Sequence, residues 1–125
     1  MKQKDKELVL KEISSRFPYG VKVFSKILNK PTLVKGITDD FIWVYVDEDN
    51  YEWEPVEDVK LYLRPMSSIT KKEKKEIEAS FSPTGQELFS LPYVDYLNSI
   101  HIDYRGLIPI GLAIAITKEN NPYKE

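Results

Sequence analysis

Phe41-Ile42-Trp43-Val44-Tyr45-Val46, then Asp47-Glu48-Asp49-Asn50, then Tyr51-Glu52-Trp53-Glu54 is the stretch whose reading decides the fold. Aromatic and β-branched residues fill the two outer runs, and Asp and Asn fill the gap, where they tolerate turn backbones. The stretch is a β-hairpin with its loop at 47–50. Its flanks continue the pattern. Val21-Lys22-Val23-Phe24 alternates with a period of two, Asn29-Lys30-Pro31-Thr32 breaks it, and Leu33-Val34-Lys35-Gly36-Ile37 resumes it. Pro55 ends the hairpin, and Val59-Lys60-Leu61-Tyr62-Leu63 is a last strand before Arg64-Pro65. Four or five short strands with closely spaced turns predict a bent antiparallel β-meander closing as a small SH3-like barrel. No helical period interrupts residues 20–63, which argues against a parallel βαβ arrangement.

Helices flank this region. Residues 3–16 carry Val9, Ile13 and Phe17 at i, i+4 and i+8, with Leu10 beside them, and a polar face of Lys4, Glu7, Lys11 and Glu12. Phe17-Pro18 stops the helix and Pro18-Tyr19-Gly20 turns the chain. Thr70-Lys71-Lys72-Glu73 is a capping box that opens a Lys/Glu helix over about 70–80, which only Ile77, Ala79 and Phe81 can seal to a core. Ser82-Pro83-Thr84-Gly85 reads as a loop, with a short turn at Glu87–Phe89. Pro92 opens a further helix with Val94, Leu97 and Ile100 or His101 as its stripe. Residues 111–116 alternate large and small side chains as a late strand, and the polar tail from Thr117 is expected to fray. The fold class is thus α+β in one domain: an N-terminal helix over 1–17, a meander or barrel over 19–64, and a helical half over 66–125 with a possible late strand.

The 125 residues are 42% hydrophobic and 30% charged, which suits one soluble domain with a core. Without cysteine there is no disulfide framework, thiolate metal site or cysteine nucleophile, and one histidine excludes a multi-histidine zinc site. No apolar run reaches the roughly 20 residues of a membrane span, and a cytoplasmic protein is expected. The net charge of −2 hides a polarity: residues 1–37 carry nine Lys/Arg against three Asp/Glu, and residues 38–65 carry two against nine. The two segments either neutralise each other or form a bipolar surface that steers a charged partner.

Three groups of residues are candidates for function. Asp47, Glu48, Asp49, Glu52 and Glu54 lack calcium-loop spacing and read as a hairpin tip, so no metal or cofactor is expected. His101-Ile102-Asp103-Tyr104-Arg105-Gly106 is the stretch richest in functional side chains. Its His101 and Asp103 would form the base of a small enzyme, but no nucleophile elbow or phosphate loop accompanies them. The alternative is a structural corner in which Tyr104 packs, Gly106 takes a positive φ, and Arg105 pairs with Asp95, Asp103 or a carboxylate of the barrel. The third group is Trp43, Tyr45, Tyr51 and Trp53. A loop at 47–50 sets residue 46 against 51 and 44 against 53, and splits the rings between faces. A shift of one residue gathers all four on one face, as a platform for peptide, methylammonium or base stacking.

Tyr62-Leu63-Arg64-Pro65-Met66-Ser67-Ser68-Ile69-Thr70 before a Lys/Glu helix is one distinctive motif. Tyr96-Leu97-Asn98, His101-Ile102-Asp103-Tyr104-Arg105-Gly106-Leu107-Ile108 and Gly111-Leu112-Ala113 form another. Together they resemble a family of small proteins common in phages and prophages of Bacteroides-like bacteria, with the patterns YLRPxSSMT and LNxxHFDYRGLIxxGLA. Ile69 and Ile102 stand where the family tends to have methionine and phenylalanine. The family has no established activity, so the resemblance implies a setting, an intracellular phage accessory role, and no catalytic residues. The expected function is a non-enzymatic binding module for a host or phage protein. Its aromatic hairpin would take a cationic or extended peptide. The alternatives are a nucleic-acid-binding accessory protein, weakened by the presence of only Arg16, Arg64 and Arg105 as arginines, and a small enzyme using His101 and Asp103.

Overall fold

In the computed structural model, which describes residues 2–79 and 91–123, helix α1 (Gln3–Arg16) precedes strands β1 (Lys22–Ser25), β2 (Lys30–Ile37), β3 (Phe41–Asp47), β4 (Asn50–Pro55) and β5 (Lys60–Leu63). Helices α2 (Lys71–Ala79) and α3 (Leu91–Ser99) and strand β6 (Ala113–Ala115) follow. The strands form one sheet in the order β4-β3-β2-β1-β5-β6, antiparallel except for the parallel pair β5–β6. The architecture is α+β, as the alternation predicts. The expected closure into a barrel is absent: among the described residues no ladder joins β4 to β5, because β5 holds β1 on one edge and β6 on the other. Two features depart from an antiparallel meander: β5 crosses over to pair with β1, and β6, reached through α2 and α3, runs parallel to β5.

The core lies between α1 and the sheet. Val9 and Ile13 of α1 meet Val21, Val23, Val34, Ile42, Val44, Leu61 and Leu63. Each such side chain is worth about 1.5–3 kcal/mol when fully buried. Two sequence expectations for α1 are corrected. Phe17 is 41% exposed and lies outside the stripe, since a 3-10 turn at Phe17–Tyr19 rotates it away. Glu12, read as solvent-facing, is fully buried with Arg16, because two guanidinium groups neutralise it. β2 begins at Lys30, so Pro31 and Thr32 are strand residues, and the break is the turn over residues 26–29, which Asn29 closes at φ 54°.

A second cluster joins the helical half. Ile77, Leu97 and Ile102 pack together, flanked by Ile69, Tyr96, Ile100 and Tyr104. The capping box forms as expected: the Glu73 N–H donates to Thr70 Oγ1 at 3.1 Å and the Thr70 N–H to Glu73 Oε1 at 2.9 Å. The Arg64 fork donates to both oxygens of Glu73 at 2.6 and 2.7 Å, tying α2 to the end of β5. These bonds, with the Thr70 cap, hold Glu73 down at a pKa of about 2. The expectations for Phe81, for the loop at Ser82–Gly85 and for the turn at Glu87–Phe89 lie outside the described residues, as do the side chains of Ala79 and Pro92. The tail is not frayed at Tyr123, whose hydroxyl accepts the Lys22 N–H at 2.7 Å while Lys22 Nζ donates to the Pro122 carbonyl at 2.8 Å.

Candidate functional site

The hairpin tip is tighter than the loop at 47–50 suggests. Asp47 pairs with Asn50, so only Glu48 and Asp49 lie between the strands. The ladder shifts between Tyr45 and Asp47, which makes Val46 a β-bulge. The extra residue moves the register by one: Trp43 faces Trp53, and Tyr45 faces Tyr51. The second of the two sequence registers is therefore the one formed, and the physical reason is the bulge. Ile42 and Val44 then turn into the core, both fully buried.

The rings touch in series along the opposite face. Trp43 stacks on Tyr51 with centroids 5.2 Å apart and planes 6° from parallel. Trp53 meets Trp43 edge-on at 4.5 Å, and Phe41 meets Trp53 edge-on at 6.3 Å. Aromatic pairs of this kind are worth about 0.5–1.5 kcal/mol beyond their buried area. Phe41, which the sequence reading left out of the set, extends the row, and its place in it follows from its even spacing with Trp43. Tyr51 is 53% exposed, Trp53 46% and Phe41 42%, whereas Trp43 and Tyr45 are half-buried. Gly36, paired with Trp43, lies beneath the indole: a Cβ there would sit 2.9 Å from Trp43 Cε3. Trp43 Nε1 is buried and has no hydrogen-bond partner among the described residues.

Charge surrounds this row unevenly. A second bulge, between Val34 and Gly36, places Lys35 with its Nζ 5.7 Å from the Tyr45 ring centroid. Lys35, Trp43, Tyr45, Asp47, Asn50 and Tyr51 line a cavity of about 400 Å³ at the tip. Asn50 Nδ2 donates to both oxygens of Asp47 and the Asp49 N–H to one of them, which holds the Asp47 carboxyl below the usual carboxylate range. Glu54 differs from its neighbours: it is fully buried, and its Oε1 accepts the Ile27 N–H at 3.0 Å. Among the described residues no three His, Asp or Glu side chains are placed to hold a metal ion.

The corner 101–106 is assembled from both ends of the chain. His101 takes a φ of 60°, and its ring stacks on Tyr123 at 3.8 Å. Burial first, then Arg16 and Arg64, lowers its pKa to about 4. Asp103 does not orient the imidazole. Its two oxygens accept the N–H groups of Leu107 and Ile108 at 2.8 and 2.9 Å and close the next turn. Tyr104 donates to Asn98 Oδ1 at 2.9 Å and lies beneath the guanidinium groups of Arg16 and Arg105, 5.3 and 4.8 Å from its centroid. Gly106 has φ 76°. Arg105 pairs with Glu12 of α1 and not with Asp95, Asp103 or a strand carboxylate. Arg16 completes the knot, donating to Glu12 Oε2 and, at 2.7 Å, to the Ile102 carbonyl. Glu12 and Arg16 are the corner residues that sequence spacing hid, since they lie in a helix with an ordinary i, i+4 ion-pair pattern.

No family model matches this chain, and neither a curated protein nor a solved structure matches it.

Proposed function

We propose that the chain is a non-enzymatic binding module that takes a protein partner through the aromatic face of β3–β4. The observation that carries this reading is the row Phe41, Trp53, Trp43, Tyr51, in ring contact on one face with three members substantially exposed. Exposed aromatic patches of this kind mark interaction sites, and aromatic residues concentrate at the centres of protein interfaces. Glu48 and Asp49 at the tip of the hairpin, beside the row, favour a ligand carrying lysine or arginine, through charge and cation–π contact. They disfavour nucleic acid, whose phosphates they would repel. The enzyme alternative loses its support from geometry, because both Asp103 oxygens are engaged by backbone amides. A phage or prophage accessory role in a bacterial cytoplasm rests on the two sequence motifs, and among the described residues no helix is long and apolar enough to cross a membrane. The strand order β5-β1-β2-β3-β4, with a 3-10 turn between β4 and β5, is the feature that favours describing the sheet as an opened SH3-like barrel.

Titration with a lysine-rich extended peptide, followed by tryptophan fluorescence, tests the reading. Binding should change the emission and be lost in Trp53→Ala. Binding that survives Trp53→Ala and Tyr51→Ala, or tight binding to nonspecific duplex DNA at physiological salt, overturns it.

A further inference from the structure

The sheet ends at β4, and among the described residues no strand lies along its outer edge. Among the described residues, the outward N–H and C=O groups of alternate residues of Asn50–Pro55 therefore have no strand partner, and a further strand can pair with them. We propose that this edge takes a basic, extended segment of another protein as an added strand. The inference rests on the aromatic face being a binding surface, and it adds how the ligand lies on it.

Charge decides the occupant. Edge strands are normally blunted by shortness, charge or proline. Here the only proline is Pro55, at the last position, and Tyr51 and Trp53 stand exposed along the strand. A second copy pairing at this edge would bring Glu52 and the acidic tip of each chain against like charges. Glu48, Asp49 and Glu52 have no ion-pair partner among the described residues. A basic strand meets the same carboxylates as attraction. Its side chains would alternate, one set lying over Tyr51 and Trp53 and the other beside Glu52. Glu54 takes no part, because its carboxylate is turned inward onto the Ile27 amide.

A ten-residue peptide of alternating lysine and valine is the probe, compared with its fully N-methylated form and with a glutamate-for-lysine form. Affinity is read by tryptophan fluorescence, and hydrogen exchange is followed at residues 50–54. The proposal expects the plain peptide to bind and to slow exchange in β4, the N-methylated form to bind at least about tenfold more weakly, and the glutamate form not to bind. Equal binding of the N-methylated form, still lost in Trp53→Ala, overturns strand addition and leaves the aromatic face standing. No binding by either lysine peptide, or binding indifferent to Trp53→Ala, overturns both. Dimerisation that protects residues 50–54 without peptide assigns the edge to a second copy and also overturns the proposal.

Discussion

Arg105 and Glu12 lie ninety-three residues apart in the chain and are joined by an ion pair. The pair fastens the C-terminal corner to α1, and Arg16 shares the same carboxylate from the next turn of the helix. Among the described residues Glu12 is thus the single anion paired with these two cations, fully buried, while the Arg105 side chain is 23% exposed. Removing either end has unequal consequences. Arg105→Ala leaves Glu12 still paired with Arg16, and should lower stability by about 1–2 kcal/mol. Glu12→Ala strands the buried Arg16 charge, and should cost about 3–5 kcal/mol. Chemical denaturation of both variants checks the order, and an Arg105→Ala loss equal to or larger than that of Glu12→Ala would show that Glu12 is not the hub.

Trp43 depends in the same way on Gly36. The glycine backbone is not in a left-handed conformation, so an alanine is acceptable there on conformational grounds. Space is the obstacle: the added Cβ would lie 2.9 and 3.1 Å from Trp43 Cε3 and Cδ2. The indole has to shift, and with it the stack on Tyr51 and the edge contact with Trp53. Gly36→Ala should destabilise by about 1–3 kcal/mol and weaken the near-ultraviolet circular dichroism of the coupled rings. An unchanged aromatic spectrum at full stability would mean that the ring does not rest on the glycine.

How far the sequence discloses this molecule can be judged from such residues. The period of two between Gly20 and Leu63 states the strands, and Thr70 with Glu73 states the start of α2, because these signals are local. The aromatic set is legible as a set. Its gathering on one face is not, since it depends on one bulged residue, Val46, that no local propensity marks. The role of Glu12 is hidden for a related reason: a carboxylate on a helix looks solvated until two arginines, one of them from the far end of the chain, converge on it. Tyr123 in a polar tail and β6 beyond the helices are likewise fixed by partners distant in sequence. The open edge of β4 follows from which strand β5 recruits, and spacing within the meander carries no record of that choice.

Acid should weaken the fold in two separate steps. The pKa of His101 falls from 6.5 to about 4, through burial and then through Arg16 and Arg64. Above 6.5 the imidazole is neutral in both folded and unfolded chains and adds no pH dependence. As pH falls from 6.5 toward 4, the unfolded chain takes up a proton that the folded chain resists, so stability drops. Glu73 has its pKa depressed from 4.5 to about 2, chiefly by its hydrogen bonds from Arg64. Its contribution is whole above 4.5 and is lost as pH falls through about 2. His101→Asn, which tolerates the φ of 60°, should remove the first step and keep the second. Glu73→Gln, which keeps an acceptor for the Thr70 N–H, should do the reverse. Denaturation midpoints measured at pH 7, 5, 4 and 2.5 separate the two. If His101→Asn lost stability between pH 7 and 4 as steeply as the parent chain, the first step would belong to other groups, and the burial of His101 against Tyr123 would have to be looser than its geometry states.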